Sequence, residues 1–152
     1  MPEYRVSKAF TVESGHMLSQ HPERCRFPHG HTRTVEVVVR GAALDAAGML
    51  VDFKALKLAV QSHIDRYDHA LAVNSRDPFL PQLQAQYPED ALVIFRDAEP
   101  TTEAIAAEIG EYVQAVLREG FSHGPYVISP GQVGLAYVRV TETPSSWAEY
   151  WP

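Results

Sequence analysis

Residues 25–40 read Cys-Arg-Phe-Pro-His-Gly-His-Thr-Arg-Thr-Val-Glu-Val-Val-Val-Arg. The second half of this stretch alternates, and Val35, Val37 and Val39 share one face of an extended chain because side chains at i and i+2 point the same way. We therefore predict a β-strand over residues 32–42. His29 and His31 have the same spacing directly before it, so the strand presents two imidazoles side by side.

The rest of the chain supplies the partners of this strand. Further strands are predicted over residues 4–12, 126–129 and 133–143. Two helices with apolar residues at spacings of three and four are predicted over residues 53–66 and 103–118. The expected N-caps are Asp52 for the first helix and Thr101 or Thr102 for the second. His63, near the edge of the first helix's apolar stripe, is expected to pack.

The order strand, strand, helix, helix, strand, strand predicts an α+β fold, with a four-stranded antiparallel sheet covered on one face by two helices. Residues 1–152 are predicted to form a single domain. Residues 13–30 are expected to be a loop. Residues 70–100 are irregular, and their short apolar run at 91–95 suits either an extra strand or a buried connector. A lone four-stranded sheet leaves its edges unpaired, so closure of several sheets into a shared barrel by oligomerisation is expected.

Composition narrows the class of protein. Its 152 residues, 45% of them hydrophobic, suit one globular domain. A formal net charge of −6 argues against a nucleic-acid or anionic-membrane partner, since both need clustered lysine and arginine. One cysteine cannot form an internal disulfide, and the N-terminus resembles no secretory signal, so we expect a cytoplasmic protein. No apolar stretch is long enough to span a bilayer.

His29 and His31 predict a metal site. His16, at the end of the first extended stretch, is the expected third ligand, and His21 is a weaker rival because it lies in the loop. Three nitrogen ligands leave a fourth position open, as in catalytic rather than structural zinc sites. Zn²⁺ is the default ion, although Fe²⁺, Ni²⁺ or Co²⁺ suit the same ligands. The competing interpretation is that the His-Gly-His motif is an ordinary surface loop.

Cys25, four residues before the histidine pair, has three possible roles. It could be a fourth zinc ligand that closes the site and makes it structural. It could instead be a thiolate base or nucleophile, its pKa lowered by the metal and by Arg24 and Arg26. The third role is an inert buried thiol, which the polar surroundings disfavour.

Weaker predictions attach to three other polar motifs. Asp68 can orient His69 as a proton-transfer group, although the helix dipole alone also favours a histidine at this place. Glu142, at the end of the last strand, can accept two hydrogen bonds from an amidine-like edge, but an ordinary exposed glutamate is the simpler interpretation. Thr101-Thr102-Glu103 is more typical of a helix start than of a ligand clamp.

Together these residues resemble the 6-pyruvoyltetrahydropterin synthase / 6-carboxytetrahydropterin synthase family over most of the chain. The matching positions are Phe10, His16, Cys25-x-x-x-His29-Gly30-His31, residues 48–57, Asp68-His69, residues 100–103 and residues 141–143. The resemblance implies the tunnelling fold, or T-fold, in which each subunit gives an antiparallel sheet and two helices. Trimers of such subunits close a barrel, and two trimers stack, so a homohexamer is implied as well.

The same resemblance implies roles for named residues. The ligands of Zn²⁺ would be His16, His29 and His31. The proton-transfer group would be Cys25, Asp68 and His69. The pterin ring would be anchored by Glu142, with support from Thr101 and Thr102 of a neighbouring subunit.

The three-residue gap between Cys25 and His29 resembles the branch that makes 6-carboxy-5,6,7,8-tetrahydropterin for queuosine and other deazapurines. This implies a zinc-dependent carbon–carbon and carbon–oxygen lyase that acts on 7,8-dihydroneopterin triphosphate and releases acetaldehyde and triphosphate. Alternatives are synthesis of 6-pyruvoyltetrahydropterin from that substrate, a non-catalytic zinc- and pterin-binding protein, and a structural zinc module with one cysteine and three histidine ligands.

Two features depart from the family pattern. Glu13-Ser14-Gly15 stands where small residues are usual, and the negative charge of Glu13 could alter the preference for metal or substrate. The connector from His69 to Pro100 is longer than the family's short version, and is expected to cover the pocket or to shape the subunit contact. The candidates for holding the triphosphate, Arg24, Arg26 and Lys54, rest on their positive charge alone.

Overall fold

The computed structural model describes residues 2–152, which form one large sheet, a small hairpin and three α-helices. The strands are β1 (Tyr4–His16), β2 (His29–Gly41), β3 (Leu71–Asn74), β4 (Leu92–Phe95), β5 (Phe121–His123), β6 (Tyr126–Ile128), β7 (Gly134–Thr143) and β8 (Ser146–Tyr150). The helices are α1 (Phe53–Ile64), α2 (Leu80–Gln86) and α3 (Thr102–Glu119). The predicted α+β class is confirmed.

The large sheet has six strands in the order β4-β3-β1-β2-β7-β8. Its centre is the long β1–β2 pair, which runs antiparallel from Tyr4 opposite Gly41 to His16 opposite His29. Strands β7 and β8 continue the sheet antiparallel on one side. On the other side β3 and β4 are parallel to β1, so the sheet is mixed.

The predicted four-stranded antiparallel sheet was therefore too small. The irregular region 70–100 contributes β3 and β4, so the apolar run at 91–95 is a strand. These four-residue strands pair in parallel across a connector that includes α2, and the sequence pattern carries no local signal for such non-local pairing. The strand predicted at 126–129 pairs with β5 in the separate hairpin instead.

The helices α1 and α3 begin directly after the predicted N-cap residues Asp52 and Thr101. The carboxylate of Asp52 accepts hydrogen bonds from the backbone N–H groups of Lys54 and Ala55, at 2.7 and 3.1 Å. Thr101 caps α3 by accepting from the N–H of Ala104 at 3.1 Å, so Thr102 is the first helical residue rather than the cap. None of the helices formed by residues 2–152 has the length and hydropathy needed to cross a bilayer.

The core lies between one face of the sheet and the helices α1 and α3. Its fully buried members include Val12, Val35, Val37, Leu56, Val60, Ile105, Ile109, Val138 and Val140. The predicted packing role of His63 is confirmed, because its ring stacks on Tyr112 with centroids 3.8 Å apart. The apolar face ends where the side chains of β1, β2 and β7 become polar, and the candidate site lies there.

Candidate metal-binding site

Strand pairing brings the polar residues of three strands together at one end of the helix-covered face. Along β2, His29, His31 and Arg33 continue the alternation of the buried valines. On β1, His16 lies opposite His29. On β7, Glu142 lies two residues beyond Val140, which pairs with Val35 of β2.

His16, His29 and His31 form a cluster that could hold a metal ion. One ring nitrogen from each lies within 4.8 Å of the others. The ring centroids are 4.5 Å apart for His16 and His29, and 5.1 Å apart for each of the other two pairs. His21, the rival ligand, instead accepts a hydrogen bond from the N–H of Glu23 within the loop. The predicted set of three histidines is therefore the set that the fold brings together.

The hydrogen bonds of these imidazoles leave nitrogens free for a metal. The Nδ1 atoms of His16 and His29 lie 2.8 Å from the carbonyl oxygens of Pro100 and Phe27, and each must donate there. This fixes the tautomer and puts the lone pair on Nε2, which in His16 lies 3.4 Å from a terminal nitrogen of Arg33. Within residues 2–152, the buried Nε2 of His31 has no hydrogen-bond partner, which a bound cation would supply.

Electrostatics keep two of the three imidazoles, those of His16 and His31, neutral at pH 7 and able to bind a metal. The pKa of His16 is lowered to about 4, mainly by burial and also by the charge of Arg33, while the hydrogen bond to Pro100 acts in the opposite direction. Burial and Arg33 also lower the pKa of His31. Since metal ligands must be deprotonated, these imidazoles are in the binding form at neutral pH.

Arg33 is a member of the site that the sequence analysis missed. It is fully buried, and its guanidinium donates to the hydroxyl of Thr102 at 2.9 Å and to the carbonyl of Thr141 at 3.3 Å. A terminal nitrogen also lies 3.4 Å from each ring nitrogen of His16. The sequence did contain a pattern that predicts this position. Residue 33 follows His29 and His31 at intervals of two, so its side chain points to the same face of the strand.

Glu142 joins the same cluster. Its Oε1 accepts from the hydroxyl of Thr102 at 3.1 Å and lies 3.7 Å from the Nε2 atoms of both His16 and His31. Thr102 and Glu142 are in contact within one chain, where β7 and the start of α3 meet, whereas support of a pterin ring by Thr101 and Thr102 of a neighbouring subunit stays a prediction. The hydroxyl of Thr101 is engaged in capping the helix.

Asp68 and His69 form a second group, beyond the end of α1. The ring Nδ1 of His69 donates to Asp68 at 2.9 Å, and the carboxylate also accepts from the backbone N–H of Glu13 at 2.7 Å. The Glu13 hydrogen bond and then the His69 hydrogen bond lower the pKa of Asp68, while Asp68 raises the pKa of His69. The His69 side chain is 80% exposed, so its Nε2 is available to a ligand.

A cavity of about 780 Å³ connects the two groups, since His31 and His69 both line it. Its far wall comes from α2 and the adjoining residues, including Phe79, Leu83 and Tyr87. The long connector thus covers this pocket, one of its two expected roles. Glu13 also lines the cavity, and its carboxylate accepts from the hydroxyl of Thr32 at 2.7 Å.

Cys25 lies elsewhere in the chain. It is half-buried in a 3₁₀ turn, Arg24–Arg26, and lines a separate depression of about 640 Å³ together with other residues of 21–27. The loop that carries it is anchored by Glu99, whose carboxylate accepts from the hydroxyl of Ser19 and the N–H of Gln20 at 3.0 and 2.6 Å. Since the metal cluster consists of the three histidines, this arrangement argues against Cys25 as a fourth ligand.

Sequence comparisons find relatives that match nearly the whole chain. A family model described as 6-pyruvoyl tetrahydropterin synthase matches residues 5–152. The 6-carboxy-5,6,7,8-tetrahydropterin synthase of Bacillus subtilis strain 168 is 31% identical over 150 residues, covering 98% of this chain and 86% of the relative. The protein of the same name from Aquifex aeolicus strain VF5 is 28% identical over 165 residues, covering 97% and 98%.

Solved structures show the same fold. An uncharacterized protein from Wolinella succinogenes superposes with a TM-score of 0.75 at 22% identity, covering 99% of both chains. The 6-pyruvoyl tetrahydropterin synthase of Plasmodium vivax superposes with a TM-score of 0.70 at 17% identity, covering 99% of this chain and 98% of that one. At these identities the likeness supports the fold alone, and it confirms the tunnelling fold of the single chain. With a family model matched from residue 5 to residue 152, the chain belongs to the 6-pyruvoyl tetrahydropterin synthase family.

Proposed function

We propose that this protein is a zinc-dependent lyase that converts 7,8-dihydroneopterin triphosphate to 6-carboxy-5,6,7,8-tetrahydropterin, releasing acetaldehyde and triphosphate. The observation that carries the proposal is the cluster of three histidines beside Glu142 and an open cavity. The name of the relatives from B. subtilis and A. aeolicus supports this product. We place the reaction in the cytoplasm, in the biosynthesis of queuosine or another deazapurine.

Each group of the site has a task in this reaction. Bound Zn²⁺ would be held by His16, His29 and His31 and would supply Lewis acidity toward the oxygens of the substrate side chain. Glu142 has a second carboxylate oxygen that can accept from the paired N–H groups of a pterin edge. His69, held in one tautomer by Asp68, can carry a proton at Nε2 on the cavity side.

Cys25 is proposed as the partner base of His69. Because the two residues line different depressions of one chain, we propose that the thiol meets the imidazole across a subunit contact in a homohexamer. Mixing inactive Cys25→Ala and His69→Ala chains under exchange conditions should then restore part of the activity. Activity that stays absent in verified mixed oligomers would place both groups in one chain.

Production of 6-pyruvoyltetrahydropterin is the second candidate. It is favoured by the description of the matching family model and by the name of the P. vivax structure. Both reactions start from the same substrate, so the product distinguishes them.

The decisive experiment is identification of the product by mass spectrometry. The purified protein, stripped of metal and reloaded with one equivalent of Zn²⁺, is incubated with 7,8-dihydroneopterin triphosphate. We expect 6-carboxy-5,6,7,8-tetrahydropterin and acetaldehyde, with no product from Cys25→Ala that still binds zinc. A folded, zinc-loaded protein that binds the substrate without turnover would overturn the enzymatic proposal in favour of a pterin-binding protein.

A further inference from the structure

Glu142 lies close enough to the histidine cluster to compete for the metal. Its Oε1 is 3.7 Å from the Nε2 atoms of both His16 and His31. A carboxylate oxygen binds zinc at about 2.0–2.2 Å, and three histidines with one glutamate make a complete tetrahedral set. If Glu142 bound the ion, the fourth position would be closed and the carboxylate would be lost to any other ligand.

Arg33 and Thr102 hold the Glu142 carboxylate away from the position at which it would bind the metal. The guanidinium of Arg33 has donors but no acceptor, so the hydroxyl of Thr102 must accept from it. The single hydrogen of that hydroxyl is then directed to Glu142 Oε1. The two hydrogen bonds therefore run in one direction, from Arg33 to Thr102 and from Thr102 to Glu142. Arg33 fixes the orientation of the Thr102 hydroxyl, and that hydroxyl in turn fixes the position of the Glu142 carboxylate.

Charge acts in the same direction as the hydrogen bonds. Arg33 is fully buried and is joined to Glu142 through Thr102, and the positive charge of the guanidinium partly offsets the negative charge of the carboxylate. A carboxylate with a nearby cation is a weaker ligand for a second cation.

We propose that Arg33 and Thr102 are positioning residues that keep Glu142 off the metal, so that a bound ion retains its open fourth position. The coordination of the metal does not depend on the identity of the substrate. The availability of Glu142 for a pterin edge does, and it rests on the proposed function.

Substitution of Thr102 tests the restraint without removing a buried charge. Thr102→Val keeps the shape of the side chain but breaks both hydrogen bonds, and Thr102→Ser is the matched control that keeps the hydroxyl. Co²⁺ serves as the probe, because its visible spectrum reports the number and type of ligands. Azide reports the open position, since it changes the spectrum only where it can bind the ion.

The expected result is that Thr102→Val binds Co²⁺ about tenfold or more tightly, the size that outer-shell changes have on metal affinity. Its spectrum should no longer respond to azide, while wild type and Thr102→Ser respond. Adding Glu142→Gln to Thr102→Val should restore the azide response, which identifies the carboxylate as the blocking ligand. Arg33→Lys should resemble wild type more closely than Arg33→Met does.

A folded Thr102→Val protein with wild-type Co²⁺ affinity and azide response would overturn the proposal. So would a block to azide that persists in Thr102→Val/Glu142→Gln, because the closing ligand would then not be Glu142. Circular dichroism verifies folding of every variant. None of these measurements uses a pterin, so failure of the proposed enzymatic function would leave them interpretable.

Discussion

His63 of α1 donates a hydrogen bond from Nε2 to the carboxylate of Glu108 of α3 at 2.7 Å. The hydroxyl of Tyr67 donates to the other oxygen of the same carboxylate at 2.5 Å. The carboxylate of Glu108 thus connects three elements on the helix-covered side of the sheet. They are α1, the turn that follows it, and α3, which carries Glu108 itself. The protein stabilises this junction electrostatically rather than by apolar packing alone.

Replacing Glu108 by glutamine should therefore destabilise the fold at pH 7. Burial alone would raise the pKa of this carboxyl, but the hydrogen bonds from His63 and Tyr67 hold it below its ordinary value of 4.5. A carboxyl whose pKa is lowered by folding stabilises the protein above that ordinary value, and the contribution is lost as pH falls through the folded pKa. We expect a loss of about 1–2 kcal/mol in the free energy of unfolding, allowing for partial exposure of the carboxylate.

Urea unfolding at pH 7 and at acid pH measures this difference. The gap between wild type and Glu108→Gln should narrow as pH falls below 4.5. Glu111→Gln, on an exposed position of the same helix, is the control and should change little. An equal gap at both pH values would show that packing, not charge, is the cause.

The metal-free protein should lose stability as pH falls from 7 to 5. Burial lowers the pKa of His16 to about 4 from 6.5, so protonation favours the unfolded chain between these values. The contribution is complete above pH 6.5 and is lost progressively on acidification, by up to about 3 kcal/mol. Denaturant titrations of chelator-treated wild type and His16→Gln should show a smaller pH effect in the variant, whereas exposed His123→Gln should behave like wild type.

Asp68→Asn should lower the pKa of the His69 imidazole. Asp68 raises the pKa of His69 through a hydrogen bond and then through its charge. The interaction is fully present below the unfolded pKa of about 6.5 and is lost as pH rises through the higher folded value. Titration of the His69 ring signals by NMR measures the shift. Asp65→Asn, an exposed change three residues earlier, is the control, and a shift of similar size in both variants would contradict a specific pair.

Gly110→Ala should destabilise the protein, although alanine is the better helix former. Gly110 lies on the buried face of α3, and an added Cβ would overlap the ring of Tyr150 on β8. The clash should cost about 1–3 kcal/mol and exceed the gain in helix propensity of about 1 kcal/mol. Thermal unfolding measures the effect, with Gly134→Ala as the control because open space surrounds that position. A stabilised Gly110→Ala protein would show that β8 moves away freely.

The sequence by itself determined the features that depend on local periodicity. The alternation around Val35 and Val37 predicts β2 and places His29 and His31 on one face of it. Asp52 marks the start of α1 because its carboxylate caps N–H groups two and three residues later. Such interactions span a few residues, so the residue types alone are sufficient to predict them.

Only the tertiary structure decided which distant residues meet. The contacts of Arg33 with Thr102 and of Thr102 with Glu142 join positions 69 and 40 residues apart, through the pairing of β2 with β7 and the docking of α3. Long-range packing also decided the parallel pairing of β3 with β4. It likewise placed Cys25 and His69 in different depressions. Strand register and helix docking minimise the free energy of the whole core, and no local pattern encodes that sum.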